Sequence, residues 1–174
     1  MALSAHFVQY DTRELQAAHV LSRLGAFDNV AGASLSALAE VLRLRPITER
    51  HQEIVVDSCA GVLLQGLGCR VRFLADGRRQ ITGLVIPGDF CSYGFLSGCA
   101  GGERVLALSP CRVAEIALDE FTALCEMHPE LMRAILRCVA VDFAALEERL
   151  VSLGHRNALE RVSHFLCEIH YRLG

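Results

Sequence analysis

Apolar positions along this chain change period twice, from helical to alternating and back, and the changes divide it into a helical start, a β-rich middle and a helical end. Asp11-Thr12-Arg13-Glu14 has the spacing of a capping box. Leu15, Ala18, Leu21 and Leu24 follow at helical spacing, with Gly25 as a natural stop. A second helix is predicted from Ser34 to about Arg43, with Leu35, Leu38, Ala39 and Leu42 on one face and Pro46 ending it. Residues 47–118 read as β structure. Within them, Val71 and Phe73 alternate with Arg70, Arg72 and Leu74, the pattern of a half-buried strand. Asp76-Gly77 supplies a hairpin turn, a return strand runs from about Arg79 to Ile86, and Pro87-Gly88-Asp89 turns the chain again. Leu108-Ser109-Pro110 reads as a corner, because proline cannot donate within a ladder. The last strand is Arg112–Leu118, with Ala114, Ile116 and Leu118 on one face. Turn signals about ten residues apart predict a small antiparallel barrel or roll.

After Asp119 the period is helical again. Phe121, Leu124 and Cys125 make a short helix ending near Pro129. The longest helix is predicted from Glu130 to Leu153. Met132, Val139, Leu146 and Leu153 recur every seven residues, as do Leu136, Phe143 and Leu150, with Ile135 beside them. This face is broader than one partner requires, so one stripe can pack on the roll and the other on a second copy of the chain. The plain alternative is a helix lying wholly on its own domain. Gly154 is expected to break it, and Asn157 to Leu173 resumes helical spacing with Leu159, Val162, Leu166, Ile169 and Leu173 on one face.

Composition narrows the function more than it names it. A 174-residue chain that is 52% hydrophobic can build a real core. Its net charge of −3 argues against nucleic-acid binding by these residues alone. No run is long enough to span a membrane, and the N-terminus lacks secretory features, so a soluble cytoplasmic protein is expected. Eight cysteines without a C-x-x-C read as reduced core thiols. Cys125 with His128, and Cys167 with His170, are three apart and could together make a tetrahedral metal site. Burial explains each cysteine equally well. No H-x-H, Gly-x-Ser-x-Gly or P-loop occurs, and the β region holds a single histidine, His51. Catalysis is therefore not expected, while haem ligation by a histidine stays open.

Gly66 before a strand, Asp76-Gly77 at a hairpin tip and Pro87-Gly88-Asp89-Phe90 closing the next strand resemble the cyclic-nucleotide-binding-domain superfamily. More closely, they look like the sensor domain of Crp/Fnr-type bacterial transcription regulators, and the order of elements is similar over essentially the whole chain. The resemblance implies an α+β fold: an antiparallel β-roll (double-stranded β-helix) with N-terminal helices and a long C-terminal dimerisation helix. It implies a sensor over residues 1–128 and a dimerisation helix over 129–153. Residues 154–174 would then hold a hinge at Gly154 and the first helix of a DNA-binding domain. The implied homodimer face is Met132, Ile135, Leu136, Val139, Phe143, Leu146, Leu150 and Leu153. DNA would be bound only through a C-terminal winged helix-turn-helix absent from this chain, as in a regulator cut after its sensor. The rivals are a stand-alone small-molecule-binding module and a metal or redox sensor using Cys and His. The N-terminal cysteine cluster of oxygen-sensing members is missing, since the first cysteine is Cys59.

In that family a Gly-Glu-Leu turn, followed some ten residues later by Arg-Ser/Thr-Ala, holds the cyclic nucleotide. The phosphate sits at a short helix N-terminus and on the arginine, and the ribose on the glutamate. The corresponding residues here are Gly88-Asp89-Phe90-Cys91-Ser92-Tyr93-Gly94-Phe95, with Tyr93 or a neighbour in the place of the glutamate. Arg104 is followed by Val105-Leu106 instead of Ser/Thr-Ala. The candidate pocket is thus Gly88, Asp89, Phe90, Tyr93, Gly94, Phe95 and Arg104, without the partners cyclic AMP needs. A possible small-molecule effector is left unidentified, and the cofactor is unknown.

Overall fold

The computed structural model describes residues 30, 32–55, 59–97 and 103–173. The helix predicted over Leu15 to Leu24 lies outside them. The order is α1 (Gly32–Val41), β1 (Arg43–Leu44), β2 (Cys59–Gln65), β3 (Gly68–Phe73), β4 (Arg79–Val85), α2 (Gly94–Ser97), β5 (Glu103–Ala107), β6 (Arg112–Ala117), α3 (Leu118–Met127), α4 (Pro129–His155) and α5 (Ala158–Leu173).

Two three-stranded antiparallel sheets form the roll, in the orders β1-β6-β2 and β4-β3-β5. Strands β2 and β6 are covered on both faces, which suits their nearly unbroken apolar runs. Leu63 and Val113 join Ile54, Val85, Cys91, Val105, Ala107 and Cys111 in a cluster drawn from both sheets. Val62, Leu64, Ala114 and Ile116 point the other way, into a second cluster with Leu38 of α1, Phe121 and Leu124 of α3, and the start of α4. Ala114 and Ile116 thus share the predicted face. Leu118 does not extend the strand: it is the first residue of α3.

Strand β3 departs from simple alternation. Arg70 pairs with Gly83 but Val71 pairs with Ile81, so Thr82 is passed over in a β-bulge. The bulge changes which way the strand faces. Arg70 and Val71 are both buried, while Phe73 and Leu74, at 48% and 47% exposure, face out. The expected pairing of Val71 with Phe73 on one inner face is therefore wrong, and Arg70 is inside. Gly66 makes the entry to β3. Its φ is +97°, and a Cβ there would lie 2.3 Å from the Pro110 carbonyl, so no other residue fits without moving the backbone.

The helical end corrects two expectations, at Ile135 and at Gly154. The described chain divides into two compact units between Cys138 and Val139. The reason is that the first turns of α4 belong to the roll's core: Leu131, Ala134, Ile135 and Cys138 are at most 1% exposed. Ile135 is thus core rather than dimer face, and Met132 packs partly buried against the same cluster. Lastly, α4 continues through Gly154 to His155. Glycine in a helix interior costs only about 1 kcal/mol, too little to end a 27-residue helix. The break comes at Arg156-Asn157, where a reciprocal cap starts α5. Asn157 Oδ1 accepts from the Glu160 N–H at 3.1 Å, and Glu160 Oε2 accepts from the Asn157 N–H at 2.8 Å.

Candidate functional site

The turn leaving β4 is built by its own residues. Gly88 has a φ of +93° and donates its N–H to the Leu63 carbonyl at 2.8 Å. Asp89 is 1% exposed, and its Oδ2 accepts the Ile86 N–H at 3.0 Å, closing the turn from within. Leu63 N–H donates to Asp89 O at 2.9 Å and Cys91 N–H to Gly61 O at 2.8 Å, so the segment runs beside β2, with Phe90 opposite Val62. At the head of α2 the Ser92 hydroxyl accepts the Gly94 N–H at 3.0 Å.

Arg70 completes this arrangement. Its Nη2 donates to the Phe90 carbonyl at 2.7 Å and its Nε to the Cys91 carbonyl at 3.2 Å. The guanidinium lies 5.3 Å from the Tyr93 ring centroid, in cation–π range. From Tyr93 an aromatic chain continues inward: Phe90 is 5.7 Å from Tyr93 and 5.8 Å from Phe95, and Phe95 meets Phe121 of α3 edge-on at 5.3 Å. Beside it is a cavity of about 10 Å³ between Leu38, Val62, Phe90, Ile116 and Phe121, about the space of one water and walled by apolar groups. Burial pushes the Cys91 thiol up to about 12, partly offset by the Arg70 charge. It is a packed thiol and not a nucleophile at neutral pH.

Of the predicted pocket, Gly88, Asp89, Phe90, Tyr93, Gly94 and Phe95 come together, and Arg104 does not join them. Arg104 pairs with Glu53 at 3.3 Å and lies over Phe73 at 5.4 Å, with its side chain 58% exposed. Alternation along β3 put Arg70 on the face opposite Val71, and only the β3–β4 pairing reveals the bulge that turns it inward. The chemistry that results is self-contained. An anion at the head of α2 would compete with Ser92 for the Gly94 N–H, and at Arg70 with two backbone carbonyls.

Of the other candidates, His128 has a structural partner in Ser34. Ser34, on α1, donates to Glu130 at the start of α4 and lies 2.9 Å from His128 Nδ1. The Ser34 hydrogen bond holds the Glu130 carboxyl below its usual range. Cys125 is buried, which raises its thiol to about 11. Cys167 and His170 are exposed on α5, in the second unit. Among the described residues no group of three or more His, Cys, Asp or Glu is placed to hold a metal ion. No described helix is long and apolar enough to cross a membrane.

No protein-family model matches the chain. The nitrogen fixation regulation protein FixK of Bradyrhizobium diazoefficiens is 33% identical over 113 residues, covering 64% of this chain and 46% of that protein. The fumarate and nitrate reduction regulatory protein of Yersinia pestis is 27% identical over 97 residues, covering 56% and 39%. The chain therefore spans less than half the length of these curated relatives. Among solved structures, FixK2 from Bradyrhizobium japonicum superposes with a TM-score of 0.67 at 24% identity, over 76% of this chain and 67% of that one. The chain has the cyclic-nucleotide-binding-domain fold, and its relatives are transcription regulators of the Crp/Fnr type.

Proposed function

We propose that these residues form the effector-sensing and dimerisation region of a Crp/Fnr-type transcription regulator whose roll does not take a cyclic nucleotide. The carrying observation is that Ser92 occupies the Gly94 N–H at the head of α2 while Arg70 is bonded to the Phe90 and Cys91 carbonyls. A phosphate would have to displace these contacts and would gain no arginine from β5, where Arg104 faces Glu53. The regulator acts in the cytoplasm, with DNA contacted through a further domain. Its dimer forms along α4, where Leu136, Phe143, Leu146, Leu150 and Leu153 are exposed and Val139 partly so. The first turns of the same helix, seated in the roll's core, give an effector in the roll a mechanical route to that seam.

Calorimetric titration with cyclic AMP and cyclic GMP tests the reading, together with light scattering of Leu146→Asp. No saturable heat is expected from either nucleotide, and the wild type should be a dimer that the substitution splits. Micromolar nucleotide binding would overturn the first half, and a Leu146→Asp dimer the second.

A further inference from the structure

The pair of helices beyond Val139 is assembled with its faces the reverse of what apolar burial would select. On α4 the least exposed residues there are Asp142, Ala145, Arg149 and Ser152, which are three and four apart and so form one stripe, and Arg156 follows in the link to α5. On α5, over Ala158 to Arg172, the partly buried residues are His164, Glu168, Ile169 and Arg172. Arg149 pairs with Glu168 across the seam, and Arg172 supports Glu168 from one turn further on at 3.6 Å. Glu148 pairs with Arg156 at 3.2 Å, and His164 lies 3.6 Å from the same carboxylate, an ion pair only when its ring is protonated. At the elbow Arg161 donates from Nη2 to the Leu153 carbonyl at 2.9 Å and from Nε to the Arg156 carbonyl at 2.8 Å. A side chain of α5 thereby caps the last turn of α4. Meanwhile Leu159, Val162 and Leu166 of α5 are exposed, as are Leu146, Leu150 and Leu153 of α4.

Two helices usually stay together because apolar stripes are buried between them. Here the seam is mostly ionic, and partly exposed ion pairs are individually weak and screened by salt. The start of α5 does not depend on the seam, because Asn157 and Glu160 cap it. We infer that α5 is a latched helix, held on the polar stripe of α4 by the Arg149–Glu168 pair and the Arg161 cap. Screening or removing those charges releases it, while the large apolar side chains Leu146, Leu150, Leu153, Leu159, Val162 and Leu166 stay exposed. The latch is a property of the helix pair and stands whichever effector the roll takes.

Hydrogen exchange of the whole chain, followed by mass spectrometry, tests it by comparing peptides from 158–173 with peptides from 59–73. Raising salt from about 0.05 M to about 0.5 M should speed exchange in α5 roughly threefold to thirtyfold and leave β2 and β3 unchanged. Arg149→Leu at low salt should reproduce much of that increase and lose most of the further salt response. Arg161→Met should act in the same direction. Exchange in α5 that is equal at both salt concentrations in the wild type, whether fast or slow, overturns the inference. So does an Arg149→Leu chain in which α5 exchanges as slowly as in the wild type.

Discussion

In the roll, Leu63, Val71 and Val85 are 0% exposed, whereas in the helix pair Leu150, Leu159 and Leu166 stand at 64%, 76% and 59%. The polar residues show the opposite trend. The roll buries few of them: Asp89 closes a turn, and Arg70 pins the segment after it to β3. The helix pair instead meets along Arg149, Ser152, Arg156, His164 and Glu168. The roll is therefore held by apolar burial, which is short-ranged and is not weakened by ionic screening. The helix pair leaves its leucines exposed, and places at its seam groups whose attraction depends on the medium. Apolar residues at similar frequency thus do different work, and their partners decide which.

The sharpest way to break this comparison is chemical. Burial raises the thiols of Cys69, Cys91, Cys111 and Cys125 above their ordinary range, Cys91 to about 12. At pH 8 a thiol of that acidity is thiolate only about once in 10⁴ molecules, before access is considered. A disulfide reagent should modify exposed Cys167 in the native protein and reach these four only on unfolding. Fast native labelling of Cys91 would show that the roll is not the closed body described.

Next in size is truncation. Leu63→Ala should cost about 2–5 kcal/mol in urea denaturation, from lost burial plus a cavity. Leu159→Ala, on the exposed face of α5, should stay within about 0.5 kcal/mol. Equal losses would erase the distinction between the regions. Arg70→Met probes the guanidinium buried against that turn and is expected to cost about 1–3 kcal/mol, since the Phe90 and Cys91 carbonyls lose their donors. A neutral result by the same denaturation measurement would mean the turn holds its shape without Arg70.

Much of the molecule could be read from local pattern. The Asp76-Gly77 hairpin, the Pro87-Gly88-Asp89 turn and the heptad leucines of α4 all fall where turn chemistry and periodicity put them. These signals depend on residues close in sequence. One local signal was present but not read: the pair Asn157 and Glu160, three apart, marks the true start of α5, and Gly154 drew attention away from it.

By itself, then, the sequence determined the order of elements, the turns that shape the roll and the class of fold, because φ preferences and apolar period act within a few residues. Only the tertiary structure decided that Arg70 turns inward past a bulge and Arg104 outward to Glu53. It alone decided that Leu131, Ala134, Ile135 and Cys138 are the stripe of α4 seated in the roll, and that α5 lies against α4 by its charged side. Each of these depends on which distant segment supplies the opposing surface: β4 for Arg70, the core around Val62 and Ile116 for α4, and Arg149 for Glu168. A period along one segment cannot carry that information, because it records that a face is apolar or polar and not what will meet it.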